Sequence, residues 1–333
     1  MKVRLLVSVA ALVLAAASAS AQDTKSCPPG TVTLGIPDQA RASQDACQMA
    51  IDLFQYVAPQ LGTSITGGNA TLGQGSSLGG LGHFSVGLRV NAVQGSLPQV
   101  QNVTPRTTGS SPARNFDTKT QLIPMPTADL AIGIFKGIPL AITNVGGVDL
   151  LVSAAYLPEF DASGVSVRVP NGSLKVGYGA RVGIIQESLL TPGISVSYLR
   201  RDLPTVNIAG SANSDSLIVD NLSLKTNAWR VVASKSLLLF GFAAGFGQDK
   251  YESSADISAY VAQTGLKTNP VPMSQSITRM NYFADLSMNL LLFKLTGEIG
   301  QVSGGTINTY NTFSGKQAAD SRVYGSVGAR FGF

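Results

Sequence analysis

From residue 82 to the end of the chain, apolar and polar residues alternate along a series of segments. In HFSVGLRVNA, residues 83–92, apolar side chains occupy every second position from Phe84 to Ala92. A period of two places successive side chains on opposite faces of an extended strand. The pattern therefore predicts strands that each have one apolar face and one polar or small face.

The alternation recurs along the rest of the chain. It is clear in LKVGYGARVGI, residues 174–184, and in TRMNYFADLSMNL, residues 278–290. Weaker copies bring the total to about ten strands, a number that suits a transmembrane barrel. These copies occupy residues 127–136, 147–157, 193–203, 217–235, 237–251, 293–302 and 321–333. Near Trp229 and Arg230 the phase breaks, which predicts a bulge or an interface position.

The connections between these strands alternate in length. Long polar stretches, such as residues 95–120 and 252–274, take turns with short ones, such as residues 187–192 and 234–236. One rim of an up-and-down transmembrane barrel carries long loops and the other carries short turns. The alternation predicts that topology with an even number of strands.

Composition favours a membrane protein that is exported. Residues 1–21 contain two basic residues, an apolar run and Ala-Ser-Ala, which predicts a cleaved signal peptide. Charged residues make up 13% of the chain, against roughly a quarter in soluble domains. The longest apolar run after the signal, residues 237–246, is too short for a spanning helix, so a closed barrel is the remaining way to cross a bilayer. The basic residues are scattered, which argues against a nucleic-acid partner.

The last strand, SRVYGSVGARFGF, resembles that of bacterial outer-membrane β-barrel proteins. Those strands carry a polar residue, a glycine and two terminal aromatic residues at a set spacing, and the residues that match it here are Ser326, Gly328, Phe331 and Phe333. The resemblance implies an all-β, up-and-down antiparallel barrel of about ten strands (range 10–14) in the outer membrane. It also implies that outer-membrane lipid and the barrel assembly machinery are partners. A secreted β-sandwich is the alternative, but it fits the low charge and the glycine-rich polar faces less well.

The residues between the signal peptide and the barrel predict a separate N-terminal segment, residues 22–81. Helical spacing over residues 37–58 predicts a helix that ends at Pro59. Cys27 and Cys47 lie in an export compartment and predict a disulfide, with two free thiols as the alternative. A glycine-rich stretch then leads to the barrel domain, residues 82–333, and predicts a linker or a backbone threaded through a confined space. The segment is thus either a plug in the barrel or a periplasmic handle.

If the apolar faces meet lipid, charged side chains of both signs point into the lumen. The candidate lumen-lining residues are Arg89, Asp149, Arg181, Arg279, Asp285, Glu298, Arg322 and Arg330. They predict either a neutralising ladder that fills a narrow barrel or a polar conduit for a small-molecule solute. Passage of small solutes, gated by the N-terminal segment, is the first hypothesis. A non-transporting barrel for structure, adhesion or assembly is the second, and a lumen filled by the charge ladder would favour it.

An enzyme is the most distant hypothesis. His83 and Ser85 share one strand face, which is similar to the His-x-Ser pair of outer-membrane lipid A deacylases. By the predicted topology His83 begins the first strand on the periplasmic side, away from lipid A in the outer leaflet. We therefore expect no catalytic residues, no cofactor and no metal ligands, since a single histidine excludes the usual zinc sites.

Overall fold

The computed structural model describes residue 27 and residues 37–100, 103–140, 142–162, 165–212, 214–262, 265–290 and 292–332. The predicted signal peptide and Phe333 lie outside these residues. One helix, α1 (Pro37–Thr66), precedes the strands. The strands are β1 (Phe84–Pro98), β2 (Thr118–Phe135), β3 (Ile138–Leu140), β4 (Thr143–Val145), β5 (Gly147–Tyr156), β6 (Phe160–Ala162), β7 (Val165–Arg168), β8 (Leu174–Ile185), β9 (Gly193–Asp202), β10 (Val206–Ala212), β11 (Asp215–Leu237), β12 (Phe240–Val261), β13 (Leu266–Lys267), β14 (Val271–Leu290), β15 (Phe293–Val302) and β16 (Arg322–Gly332).

Ten of these strands form a closed antiparallel ring, as the alternation predicts. Their order around the ring is β1, β2, β5, β8, β9, β11, β12, β14, β15 and β16, and β16 pairs with β1. Each strand hydrogen-bonds to the next one along the chain, apart from the short strands within loops. The predicted up-and-down barrel of about ten strands is confirmed.

Closure of the ring leaves an apolar outer surface. Every second residue of the barrel strands is exposed, and in β8 these residues are Leu174, Val176, Tyr178, Val182 and Ile184. In β8 the residues between them are small or charged, whereas other strands also carry apolar side chains on the inner face, such as Leu151 and Phe283. Because only closed barrels and helices satisfy all backbone groups in lipid, this exterior suits a bilayer.

The two ends of the barrel differ. One end, here the long-loop rim, carries the connections 99–117, 157–173, 203–214, 262–270 and 303–321. The other end, the short-turn rim, carries 136–146, 186–192, 238–239 and 291–292. The connection 136–146 is longer and more apolar than the other short turns, and it contains the hairpin of β3 and β4.

The seam between the first and last strands gives a direct test of closure. Ser85 pairs with Gly332 across it, and a Cβ added at Gly332 would lie 3.8 Å from the Ser85 Cβ. That separation is the mean for disulfides. We expect the double variant Ser85→Cys/Gly332→Cys to form a bridge, detected by peptide mass spectrometry of the folded protein. Ser85→Cys/Gly297→Cys is the matched control, since a Cβ at Gly297 has no neighbour within 4 Å. Equal cross-linking in both variants would contradict a closed seam.

Two sequence predictions are corrected by the strands and the helix. β11 keeps its register with β9 and β12 through Trp229 and Arg230, so the predicted bulge is not there. Its pairing with β12 shifts instead between Asp220 and Ser223.

Helix α1 also runs past Pro59, the predicted end, to Thr66. A proline leaves the carbonyl four residues earlier without its helical donor, and Gln275 Nε2 donates to that carbonyl, Gln55 O, at 3.3 Å.

The helix is buried almost along its whole length. Its buried side chains are both apolar and polar, as expected of a helix surrounded on all sides by protein. Within the described ranges, no helix combines the length and the hydropathy needed to cross a membrane.

Candidate functional site

Helix α1 and the residues that follow it lie inside the barrel. Helix α1 contacts β1, β2, β9, β11, β12, β14 and β16, which are distributed around the ring. Residues 67–80 continue from α1 toward the short-turn rim, where a Cβ at Gly80 would contact Lys136. Together α1 and residues 67–80, here called the plug, occupy the lumen from the long-loop rim downward.

The beginning of α1 is attached to the long loops. Asp45 pairs with Arg114 and accepts a 2.7 Å hydrogen bond from the Arg106 backbone N–H. Asp52 accepts hydrogen bonds from the backbone N–H groups of Tyr310 and Asn311, at 2.9 and 3.0 Å. Two long loops are therefore tied to the same turns of the helix.

The predicted disulfide is present at this end. Cys27 and Cys47 are bonded, with 6.0 Å between their Cα atoms, and both are buried. The backbone N–H of Cys27 donates to Gln48 Oε1 at 3.1 Å, and Gln44 Nε2 donates to Cys27 O at 3.3 Å. The bridge and these bonds fix Cys27 against the helix.

Three arginines from the barrel wall surround the end of α1. Arg89 of β1 donates to Gly67 O, and Arg230 of β11 donates to Thr66 O at 3.0 Å. Arg201 of β9 donates to the carbonyls of Ile65, Thr66 and Gly68 at 3.2–3.4 Å. The last carbonyls of a helix lack helical partners and carry its partial negative charge. Since α1 has no basic residue in its last turn, the wall supplies the cap.

Two buried carboxylates face the three arginines of this collar. Asp129 pairs with Arg89 and lies 3.6 Å from Arg201. Asp249 pairs with Arg230 and is completely buried. A buried charge is tolerated when it is paired and hydrogen-bonded. The one positive charge in excess faces the helix carbonyls, which carry partial negative charge.

Below the helix, the wall hydrogen-bonds the backbone of residues 67–80. Carboxylates accept from plug N–H groups, with Glu298 bonding Asn69, Asp285 bonding Gly73 and Asp149 bonding Leu78 at 2.9–3.2 Å. Cations donate to plug oxygens, with Arg181 bonding Thr71 and Gln74, Lys294 bonding Gly73 and Arg330 bonding Gln74. A buried stretch without secondary structure needs such partners for its peptide groups. The wall side chains are these partners.

All eight predicted lumen-lining residues are on the inner face, but they do different things. Six of them contact the plug: Arg89, Asp149, Arg181, Asp285, Glu298 and Arg330. Arg279 instead donates to the carbonyls of Ser303, Ala319 and Asp320 and so holds a long loop. Arg322 is buried beside this group. Asp149 and Arg181 also pair with each other, at 2.8 Å.

The collar was largely missed from sequence. Asp129, Arg201, Arg230 and Asp249 lie in the lumen but are not among the predicted residues. Asp249 could have been found from the sequence. It lies two and four residues after Gly247 and Gly245, so the two-residue alternation of β12 places all three on the same face of the strand. Arg230 was obscured because its inward neighbours Ala228 and Val232 are apolar.

The residues of the proposed assembly signal lie on both faces of β16. Ser326 donates to Asn91 Oδ1 at 2.8 Å inside the barrel, and a Cβ at Gly328 would press on Arg89 and Leu72. Phe331 lies outside, with ring centroids 6.3 Å from Phe84 and 5.5 Å from Phe293. Phe333 is outside the described residues, and a role of these residues in assembly stays a prediction.

Below the plug, a cavity of about 640 Å³ opens on the short-turn side. His83 and Ser85 both line it, as do Glu187, Lys294 and Arg330. No cluster of three or more His, Cys, Asp or Glu residues that could hold a metal ion occurs in the part of the chain that the structure describes.

The closed ring with its apolar exterior is the architecture of transmembrane β-barrel proteins, the class to which bacterial outer-membrane barrels belong.

No family model matches the chain, and no curated protein matches it. Among solved structures, it is similar to the transport unit of the autotransporter AIDA-I from Escherichia coli, with 8% identity, a TM-score of 0.39 and coverage of 86% of this chain and 99% of that one. It is similar to Ail, the attachment invasion locus protein of Yersinia pestis, with 9% identity, a TM-score of 0.31 and coverage of 76% and 99%. It is also similar to the Pseudomonas putida toluene transporter TodX, with 9% identity, a TM-score of 0.25 and coverage of 81% of this chain and 96% of that one. At these values none of the three transfers an activity, a substrate or a partner to this chain.

Proposed function

We propose that the protein is a plugged outer-membrane barrel of the structural or adhesive class, which passes no solute through its centre and acts through its long-loop rim. The observation that carries this proposal is the bonding of the plug by buried wall charges, from the arginine collar down to Asp149. The first hypothesis requires a plug that moves aside to open a polar conduit, and wall charges engaged in bonds to the plug favour the second hypothesis instead.

The energetics of the plug support a fixed position. Hydrogen bonds to charged groups contribute about 1.5–3 kcal/mol each. The plug accepts such bonds from Arg89, Arg181, Arg201 and Arg230 and donates to three carboxylates. Withdrawing it would break these bonds together and leave the wall charges in a partly desolvated lumen, which is unfavourable.

The long-loop rim is the surface that remains for partners. In bacterial outer-membrane barrels the long loops face the exterior and the short turns face the periplasm. In that orientation the beginning of α1, the disulfide and loops 99–117 and 303–321 form one braced outer surface. Such a rigid surface suits contact with a partner outside the cell.

Single-channel recording tests the proposal. We expect the folded mature chain to give no conductance steps in planar bilayers, because the plug fills the lumen. A second variant, Ser77→Cys/Gly183→Cys, fixes the plug to β8, since a Cβ at Gly183 would lie 3.1 Å from the Ser77 Cβ. Disulfides have Cβ separations of about 3.5–4.5 Å, so a small shift suffices.

Steady unit steps from the mature chain that disappear when this variant is oxidised would contradict the proposal. They would identify a channel gated by plug movement, which is the second candidate function. The open cavity beneath the plug favours that candidate, because it already forms part of a path from the short-turn side.

A further inference from the structure

The cavity at the short-turn rim, here called the vestibule, lies directly below the plug. Its volume is about 640 Å³, in the range of small-molecule sites. The lower surface of the plug, including Gln74, Ser76 and Leu78, forms its ceiling. Side chains of β1, β15 and β16 and two short turns form its wall. With the plug in place the vestibule is therefore closed above and opens to the periplasm in the orientation proposed above.

Two adjacent cations line the vestibule. Lys294 of β15 and Arg330 of β16 are directly paired in register. Lys294 Nζ donates to Gly73 O, and Arg330 Nη1 donates to Gln74 Oε1. Neither forms a salt bridge with another described residue. Arg89, Arg181 and Arg230, higher in the lumen, each pair with an aspartate, whereas these two cations bond neutral oxygens of the plug.

Glu187 also lines the vestibule, where its negative charge offsets one of the two cations and leaves a net positive charge. Glu187 accepts hydrogen bonds from the Ser234 hydroxyl at 3.1 Å and from the Ser236 backbone N–H at 2.5 Å. Lysine has three donors and arginine five. Among the described residues, Lys294 and Arg330 each use one donor, so donors remain for a ligand. Ser85 and His83 add a hydroxyl and an imidazole to the same wall.

The mouth of the vestibule is apolar. Leu189 is 92% exposed, and Leu292, Phe84 and Phe293 are also exposed at this rim. These residues continue the apolar exterior of the barrel. A cationic interior with an apolar mouth fits an anionic group that enters from the level of the membrane surface or from the periplasm.

We propose that the vestibule is a binding site for a phosphate-bearing anion, held by Lys294 and Arg330. Both cations recognise phosphate, arginine by its planar fork and lysine as a point charge. The phosphate belongs either to a lipid headgroup, with its chains against the leucines of the mouth, or to a soluble periplasmic compound. The site does not depend on whether the barrel conducts.

Calorimetric titration of the folded mature chain in a non-ionic detergent tests the site. The probes are inorganic phosphate, dihexanoylphosphatidylglycerol below its micelle concentration and, as a zwitterionic comparison, dihexanoylphosphatidylcholine. We expect saturable binding of at least one of the two anionic probes. Binding of the anionic lipid alone identifies a headgroup site, and binding of inorganic phosphate identifies a site for soluble phosphate.

Two variants assign the binding to the vestibule. Lys294→Gln removes a charge but keeps an amide donor for Gly73 O, and we expect it to weaken binding about tenfold, the loss of one charge-assisted bond. Asn289→Asp places a negative charge on the vestibule wall and leaves both cations intact, so it decides the question if Lys294→Gln fails to fold. The matched control is Asn207→Asp, the same change at the long-loop rim, where the side-chain oxygen still accepts from the Asn221 N–H.

The proposal is overturned if neither anionic probe binds. It is also overturned if a probe binds with an affinity that Asn289→Asp and the Asn207→Asp control leave equally unchanged. The presence or absence of conductance steps does not change these binding outcomes. The binding site and the proposed function are therefore tested by independent measurements.

Discussion

Replacing Asp249 by alanine is expected to lower the free energy of unfolding by about 3–5 kcal/mol, the usual cost of removing one partner of a buried ion pair. Asp249 is completely buried and pairs with Arg230. Its second oxygen accepts from the Thr66 hydroxyl at 3.1 Å, Tyr251 OH at 3.2 Å and Asn281 Nδ2 at 3.0 Å. The substitution leaves the arginine charge uncompensated and removes a bond between wall and plug.

The temperature at which the folded barrel loses its compact mobility on a gel measures this effect. Asp161→Ala is the matched control, since Asp161 pairs with Arg168 in an exposed loop hairpin. We expect no measurable shift for the control, because exposed ion pairs add little to stability. Equal shifts in the two variants would show that the Asp249 network does not hold the plug.

Gly133→Ala is expected to displace the lower plug from the barrel wall. A Cβ at Gly133 would overlap the Gly80 carbonyl oxygen, which is backbone and has no side-chain freedom to move aside. Overpacking of this kind costs about 1–3 kcal/mol. We expect faster hydrogen exchange over residues 70–80, because the contact between Asp149 and the Leu78 N–H lies in the same stretch.

Gly297→Ala is the matched control for this experiment. The same methyl group there has no neighbour within 4 Å, so the plug should exchange as in the unaltered protein. If Gly133→Ala leaves the exchange of residues 70–80 unchanged as well, the close approach of Gly80 to β2 is not a constraint on the plug.

The barrel could be predicted from sequence because its signal is local. The two-residue alternation at residues 174–184 and 293–302 matches β8 and β15 to within one residue. A strand between lipid and lumen needs a different kind of side chain on each face, so neighbouring residues in the sequence alternate in character. Low charge and export then leave a closed barrel as the one architecture that satisfies the backbone.

The position of the plug could not be predicted because it depends on contacts between distant residues. Helix α1 continues through Pro59 because Gln275, more than two hundred positions away, satisfies the carbonyl that the proline leaves free. The collar arginines Arg201 and Arg230 bind backbone carbonyls, which have no side-chain signature in the sequence. Where the plug packs against the wall, the inner face is partly apolar, and the alternation that identifies lumen residues fades.

The disulfide at the outer end of α1 has a consequence for the order of assembly. Cys27 and Cys47 close a covalent loop at the long-loop rim, while the chain leaves the lumen at the opposite rim to begin β1. A cross-linked loop is bulky, and pulling it through a completed ring of ten strands would strip the wall of its hydrogen-bonding partners. We therefore expect the strands to assemble around α1 and residues 67–80, with the pairing of β16 with β1 closing the ring last.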